Sequence, residues 1–403
     1  MTYLHGIKIK EGAKNALLAA GDTSVIALVG TAPLGAVGTL KLITSAEAAV
    51  AEYGTDISGF TIPAALETIF TTVAAKVLVV NVLSAEKATA LLESDGKMTR
   101  DETNTVATNI YKSTLPEAVD YTTELLAGLD LLLTADDTLG VKPNIIITPG
   151  YSQIETVMTR MLTVADKLDG FAIIDMVAED VQDALTARAS GIYNITSQAA
   201  VLCYPQVLRH NTHEATIDKL GLSVHWAAAK ATRDGAEGYW LSPSNSDLTG
   251  IVGLTTSITS SLTDETADTN LLNAQGITTV FRKSGMGTRL WGNWTAAYPS
   301  QKTSDCMIAP RAVRMAIREA LVDASLNYMD KAATGITVDM ITSDVNAFLR
   351  NLIGQGAIVE GECTWDEAKN PAIEIAQGKL TFTLSVQYSP SLECLTFEEV
   401  VEL

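Results

Sequence analysis

The chain has 403 residues, 47% of them apolar, and carries 28 Lys and Arg against 47 Asp and Glu, for a formal net charge of −19. That length fits two or three domains around a sizeable core. The acidity argues against a nucleic-acid binder, which needs a basic footprint, and the lack of any apolar run of about eighteen residues argues against a membrane span.

Residues 1–22 alternate weakly. Ile7-Lys8-Ile9-Lys10 has the period of a strand and reads equally as an extended arm, an edge strand or a frayed terminus. The first residues lack the basic start and apolar run of a signal peptide, so synthesis in the cytoplasm is expected. A buried strand, Ser24–Gly30, follows and ends in a turn through Pro33 and Gly35. Helices are expected over 45–53 and 63–75, and Val77–Val82 is a second apolar strand. Residues 86–109 are polar and read as a loop or surface excursion. Strands at 143–150, 170–175 and 200–205 then alternate with helices at 116–133, 152–168, 181–189 and 223–233. Continuous apolar strands alternating with helices predict a mostly parallel α/β sheet covered on both faces.

Residues 235–268 are loop-rich, and strand character resumes at Ile277–Arg282. One long helix is expected over 309–331 and a second over 338–353, the latter ended by Gly354 and Gly356. Strands follow at 358–365 and 380–388, where Leu380, Phe382, Leu384, Val386 and Tyr388 alternate with polar residues. After Ser389-Pro390-Ser391 comes one more strand, Leu395–Glu402, with nothing left in the chain to pair with. Backbone donors and acceptors of a lone strand need a neighbour, so this end points to pairing with another subunit.

The residues supply little chemistry. No Walker loop, dinucleotide fingerprint or nucleophile elbow is present, and Ser284-Gly285-Met286-Gly287 supplies half a phosphate loop with no helix after it. His210 and His213 lie in a polar loop without the helical spacing of a zinc pair. Cys203, Cys306, Cys363 and Cys394 are far apart and read as reduced thiols. Asp136-Asp137, Asp175 and Glu179-Asp180 are acidic clusters that suit helix caps or solvated faces, although Asp175 ends a strand, where an α/β catalytic acid often lies. No cofactor or metal is implied. On the helix from Ala309, Arg311, Arg314 and Arg318 share one face by their spacing. Spacing alone favours a solvated face with Glu319 and Asp323 as partners, with docking on an acidic partner as the competing reading.

The ordered motifs resemble the tail sheath proteins of contractile-tailed bacteriophages and R-type pyocins. The resemblance rests on Gly6-Ile7-Lys8-Ile9, Val25–Pro33, Gly238-Tyr239-Trp240-Leu241-Ser242-Pro243-Ser244-Asn245, Arg289-Leu290-Trp291-Gly292-Asn293-Trp294-Thr295, the long helix, Gly378–Phe382 and the last strand. It departs at 85–114, where no motif matches, and at Trp294, which the motif does not require. It implies an N-terminal arm over 1–22, an outer α/β region over 23–275 with a surface insertion at 85–114, a tube-facing α+β domain over 276–390, and a strand arm over 391–403. Ile7, Ile9, Leu395, Phe397 and Val400 would then pair with strands of neighbouring copies. Docking becomes the better reading of the basic face, with Arg311, Arg314 and Arg318 as tube contacts. The resemblance further implies a non-enzymatic virion component, made in the host cytoplasm, that assembles helically with itself around a tail tube. Baseplate and tail terminator proteins would be further partners, with no direct nucleic-acid contact and no membrane insertion. Contraction would drive the tube through a cell envelope for genome ejection. Two alternatives compete with it: a hydrolase on the middle α/β domain, which needs a serine or histidine beside Asp175, and a scaffold that exchanges strands in closed rings.

Overall fold

The computed structural model describes residues 24–57, 59–83, 121–285 and 287–400, together with the strand backbone at 99–100 and 111–112. Among them, the residues of Ala316–Tyr388 cluster as one compact unit and those of Asp22–Met315 and Ser389–Leu403 as another.

The larger unit is organised by β1 (Ile26–Gly30), β2 (Leu40–Ile43) and β3 (Val77–Asn81), then β6 (Ile145–Ile147), β7 (Phe171–Asp175), β8 (Ala200–Cys203), β12 (Ile277–Lys283) and β13 (Gly287–Trp291). A separate two-residue pair is formed by β4 (Thr99–Arg100) and β5 (Tyr111–Lys112). The eight strands form one sheet in the order β13-β12-β8-β7-β6-β1-β3-β2. The pairs from β12 through β3 are parallel, and β2 and β13 close the two edges antiparallel.

The sequence pattern explains the layering. Side chains alternate across a strand, so a strand covered on both faces must be apolar at every position. Ile26, Leu28, Val77, Val79, Ile145, Ile147, Phe171 and Ile173 face one layer, where Ile62, Leu66 and Ile69 of the helix Thr61–Thr72 meet Trp226 of the helix Leu222–Ala236. Ala27, Val29, Val80, Ile146 and Ala172 face the other, against Leu125 and Leu129 of the helix Thr122–Leu131 and Met161 and Val164 of the helix Glu155–Leu168. Each fully buried Leu, Ile or Val side chain contributes about 1.5–3 kcal/mol. Gly128 sets how closely the second layer approaches: a Cβ there would sit 3.0 Å from methyl carbons of both Val29 and Val82.

The expected parallel α/β sheet is present, with three local differences. The stretch with His210 and His213, expected to be loop, forms a hairpin of β9 (Val207–Asn211) and β10 (Thr216–Leu220), extended by β11 (Ile251–Leu254). The expected boundary at 276 is displaced: β12 pairs with β8 through Ile277↔Leu202 and Thr278↔Cys203, and the larger unit runs on to Met315. The long helix ends at Ser325 rather than 331, and Asp330 adopts a left-handed backbone at φ 63°.

In the smaller unit the helix Gly335–Gly354, capped by Thr334, packs Leu349 and Leu352 beside a two-stranded hairpin. The hairpin is β14 (Ile358–Trp365) and β15 (Phe382–Tyr388), paired from Ile358↔Tyr388 to Trp365↔Phe382. Alternation along β15 is weaker than expected, because Leu384 on the intended inner face is 37% exposed. Among the described residues, no helix is long and apolar enough to cross a membrane.

Candidate assembly surface

The chain leaves β15 and continues through 389–400 without helix or strand. Leu392, Leu395, Phe397 and Val400 are 65–86% exposed there. Four large apolar side chains in nine residues, facing water, make the kind of surface on which a partner docks. Residues 401–403 and the other proposed arm, with Ile7 and Ile9, lie outside the described residues. The β14–β15 pair stands as a two-stranded sheet among the described residues. An isolated hairpin is marginal alone, and its outer backbone groups can template another strand.

The two motif segments singled out in the sequence meet in the structure. Asn245 N donates to Leu290 O at 2.6 Å, Arg289 Nη1 donates to Asn245 Oδ1 at 2.9 Å, and Gly292 N donates to Ser244 Oγ at 3.0 Å. The helix Leu222–Ala236 braces the first segment: Lys230 Nζ donates to the carbonyls of Tyr239 and Leu241, and Arg233 Nη1 to those of Ser242 and Ser244. Gly292 adopts φ 146°, and a Cβ there would come within 2.9 Å of the Thr278 backbone. The next two residues, Asn293 and Trp294, donate to the carboxylate of Glu393 in the C-terminal segment. Residues 242–245 and 290–292 are thus tied together largely through backbone groups, while Asn293 and Trp294 reach a carboxylate.

The three arginines of the helix Ile308–Ser325 fare differently. Arg311 is 4% exposed. Its Nη2 donates to Gly170 O at 2.9 Å, and its guanidinium lies 5.4 Å from the centre of the Phe171 ring. Burial among these groups corrects the expectation that Arg311 reaches a partner. Arg314 is half-buried, donates to Gln198 and lies 4.0 Å from Asp305, whereas Arg318 is exposed.

Comparison with known proteins decides the family. Residues 124–296 match the phage tail sheath protein central domain, 23–82 the domain III N-terminal region of the tail sheath protein Gp18, and 308–402 the phage tail sheath C-terminal domain. The tail sheath protein of Burkholderia phage BcepMu is 30% identical, over 98% of this chain and 96% of that protein. The chain belongs to the phage tail sheath protein family. The tail sheath protein of Escherichia phage P2 is 26% identical over 98% of this chain and 95% of its own length. Among solved structures, the helical sheath of the anti-feeding prophage in its contracted state superposes with a TM-score of 0.70, covering 99% of both chains at 20% identity, which establishes a shared fold.

In this sheath protein Asp175 and Asp180, both considered for catalysis, hold the ends of helices. Asp175 is buried and does have a serine beside it: Ser223 N donates to Oδ1 at 2.8 Å and Ser223 Oγ to Oδ2 at 2.6 Å. Ser223 lies in the first turn of the helix Leu222–Ala236, so the carboxylate caps that helix end as an acidic N-cap would. Burial pushes the Asp175 carboxyl up to about 6, against the lowering effect of those two bonds. His225 is buried with Nε2 lacking a hydrogen-bond partner among the described residues, and burial, aided by the Arg209 charge, holds it down at about 4. A cleft lined by Asp56, Phe60, Thr61, Arg209, Ile217 and Asp218 opens in this unit, and neither Asp175 nor Ser223 lines it. Asp180 caps the helix Val181–Ser190 through Asp183 N, as its acidic cluster suggested. His210 is exposed on β9. Cys203, Cys306 and Cys363 are buried free thiols and Cys394 is an exposed one. Sequence reasoning missed the Glu393 contacts, because no local pattern links a residue to partners a hundred positions away.

Proposed function

We propose that this chain is the structural subunit of a contractile tail sheath, polymerising helically around a tail tube and contracting to drive the tube through a cell envelope. The observation that carries this reading is the exposed apolar segment 389–400, which joins no strand among the described residues, on a chain of the tail sheath family. Leu395, Phe397 and Val400, with Ile7 and Ile9 of the N-terminal arm, complete sheets of neighbouring copies, and β14–β15, a two-stranded sheet among the described residues, is the kind of element such strands join. Burying the three C-terminal side chains offers about 5–9 kcal/mol per copy before ordering and association costs are subtracted. Arg314 and Arg318 remain the candidates for the tube, and residues 276–390, which carry both, the region that approaches it. Baseplate and terminator proteins complete the set of partners. Work is done by rearrangement of assembled copies, with the free energy stored at assembly and no bound nucleotide or cofactor.

The hydrolase reading is weaker, although a serine does sit at Asp175. The Ser223 proton is directed at the carboxylate while the same carboxylate takes the Ser223 N–H, and the pair does not line the cleft. Deleting Leu395–Leu403 tests the sheath reading. The truncated chain is expected to stay folded by circular dichroism and to form no tubes by negative-stain microscopy. Normal tubes from the truncated chain would refute strand exchange, and closed rings from the full chain would favour a ring scaffold.

A further inference from the structure

The C-terminal segment follows directly on β15 in the chain, yet it clusters with the larger unit, and one side chain accounts for its polar attachment there. Glu393 Oε1 accepts from Asn293 Nδ2 at 2.5 Å, and Glu393 Oε2 accepts from Trp294 Nε1 at 3.2 Å. Both carboxylate oxygens are thus taken by two donors adjacent in sequence. Among the described residues, no other member of 389–400 has a hydrogen bond, ion pair or ring contact.

The receiving pair is held from several sides. Gly292, immediately before it, is tied to Ser244 Oγ. Asn293 O accepts from Ile308 N at 2.8 Å, and Trp294 pairs across to Met307. The Trp294 ring stacks on Tyr298, with centroids 4.3 Å apart and planes 24° from parallel. A stacked indole has little freedom, so its N–H direction is fixed before the carboxylate arrives. An exposed glutamate would otherwise be solvated, and losing that hydration is balanced only by donors already in place.

We propose that Asn293 and Trp294 form a built receptor for the Glu393 carboxylate, a latch that fixes the point from which the C-terminal arm leaves its own subunit toward a second copy. This rests on the strand-exchange reading above and adds the residues that aim the strand. Beyond the latch, the seven residues Cys394–Val400 reach about 23 Å when fully extended. A tether at 393 holds the apolar side chains at 395, 397 and 400 within that radius. It raises their local concentration at the neighbouring edge in the way a short linker raises that of a second binding module.

Cys394 makes the latch directly measurable. It is the exposed thiol next to Glu393, while Cys203, Cys306 and Cys363 are buried, so a thiol-reactive nitroxide adds at 394 in the folded chain. In the unassembled subunit the label is expected to give a restricted spectrum in the parent chain and a several-fold faster one in Glu393→Ala. Asn293→Asp places a second carboxylate against Glu393 and should free the label equally. Asn293→Asp combined with Glu393→Gln restores donor to acceptor, with the glutamine amide now donating, and should restrict the label again. A double variant that restores restriction also shows that neither single change acted by unfolding the chain. Tube assembly followed by light scattering should be slower in Glu393→Ala and return in the double variant. Identical spectra for the parent chain and Glu393→Ala would overturn the latch while leaving strand exchange standing. A freed label together with normal tubes from the 395–403 deletion would keep the latch and overturn strand exchange.

Discussion

Arg188 is buried to 4% exposure with its five N–H groups matched to five backbone carbonyls: Nε to Gln275, Nη1 to Tyr193 and Ile195, and Nη2 to Ala296 and Tyr298. Burial lowers its pKa, yet a guanidinium stays charged across the accessible range. Lysine has three donors, so Arg188→Lys leaves at least two buried carbonyls unpaired at about 1–3 kcal/mol each. A loss of roughly 2–5 kcal/mol in the urea-unfolding free energy is expected, and a change under about 0.5 kcal/mol would show that the five bonds carry no net stability. The buried pair Asp175 and His225 makes an opposing prediction about pH. Asp175 titrates near 6 in the fold and near 3.8 as a free side chain, so the folded state holds the extra proton and stability rises as pH falls through that window. His225 titrates near 4 in the fold and 6.5 when free, so the unfolded state takes the proton first and stability falls over nearly the same range. Each effect approaches about 3 kcal/mol, and they largely cancel. Unfolding midpoints should therefore change little between pH 7 and pH 5 in the parent chain, rise on acidification in His225→Leu, and fall in Asp175→Asn. Parallel curves for all three proteins would contradict both assignments.

At the scale of elements, the helix Gly335–Gly354 is fastened to β14 through one side chain. Asn346 Oδ1 accepts from Cys363 N and Asn346 Nδ2 donates to Cys363 O, both at 2.8 Å. Asn346→Leu removes both bonds and leaves the two backbone groups unmatched, so amide exchange at Cys363 and its strand neighbours should speed up with little change in β6 or β7. Unaltered exchange would mean that the apolar contacts of Leu349 and Leu352 suffice. The strands of the central sheet were readable in the sequence because they are covered on both faces, which makes Ile26–Val29 and Val77–Val80 apolar throughout. The hairpin β9–β10 was not readable: it is polar around His210 and His213, and its connection passes through Ala215 at φ 54°, a conformation that alanine does not advertise. Nor was the allegiance of β12, whose register with β8 joins Ile277 to Leu202 across a long stretch of chain. Spacing put Arg311, Arg314 and Arg318 on one helical face, yet it could not tell that the first of them is covered by Phe171 and Gly170. Arg311→Glu is thus expected to unfold the chain, whereas Arg314→Glu with Arg318→Glu should leave folding intact and weaken assembly on a tube. A stable Arg311→Glu protein would return that residue to the list of tube contacts.

For the molecule as a whole, the order of motifs along nearly the whole chain, from Gly6–Ile9 and Val25–Pro33 through 238–245 and 289–295 to the long helix, Gly378–Phe382 and Leu395–Glu402, identified the sheath family, because a family is carried by many weak signals in sequence. How copies attract one another is a question of total charge. Each chain carries −19, so packing copies side by side sets acidic surfaces against one another. The arm's contribution is apolar burial and backbone pairing, which salt scarcely affects, while repulsion between chains is screened over about 30 Å at 0.01 M and about 10 Å at 0.1 M ionic strength. Self-assembly in the absence of a tube should therefore quicken as salt rises through that range. Assembly templated by a tube adds an attraction through Arg314 and Arg318, which the same salt weakens. The advantage of a tube over no tube is expected to shrink with ionic strength in the parent chain, and to be small at every salt concentration in the Arg314→Glu, Arg318→Glu chain. Light scattering with and without tubes, at two ionic strengths and for both chains, measures the four differences. A tube advantage that grew with salt would show apolar docking and remove the arginines from the tube interface. Untemplated assembly that slowed with salt would show that attractive ion pairs between copies outweigh the repulsion set by net charge.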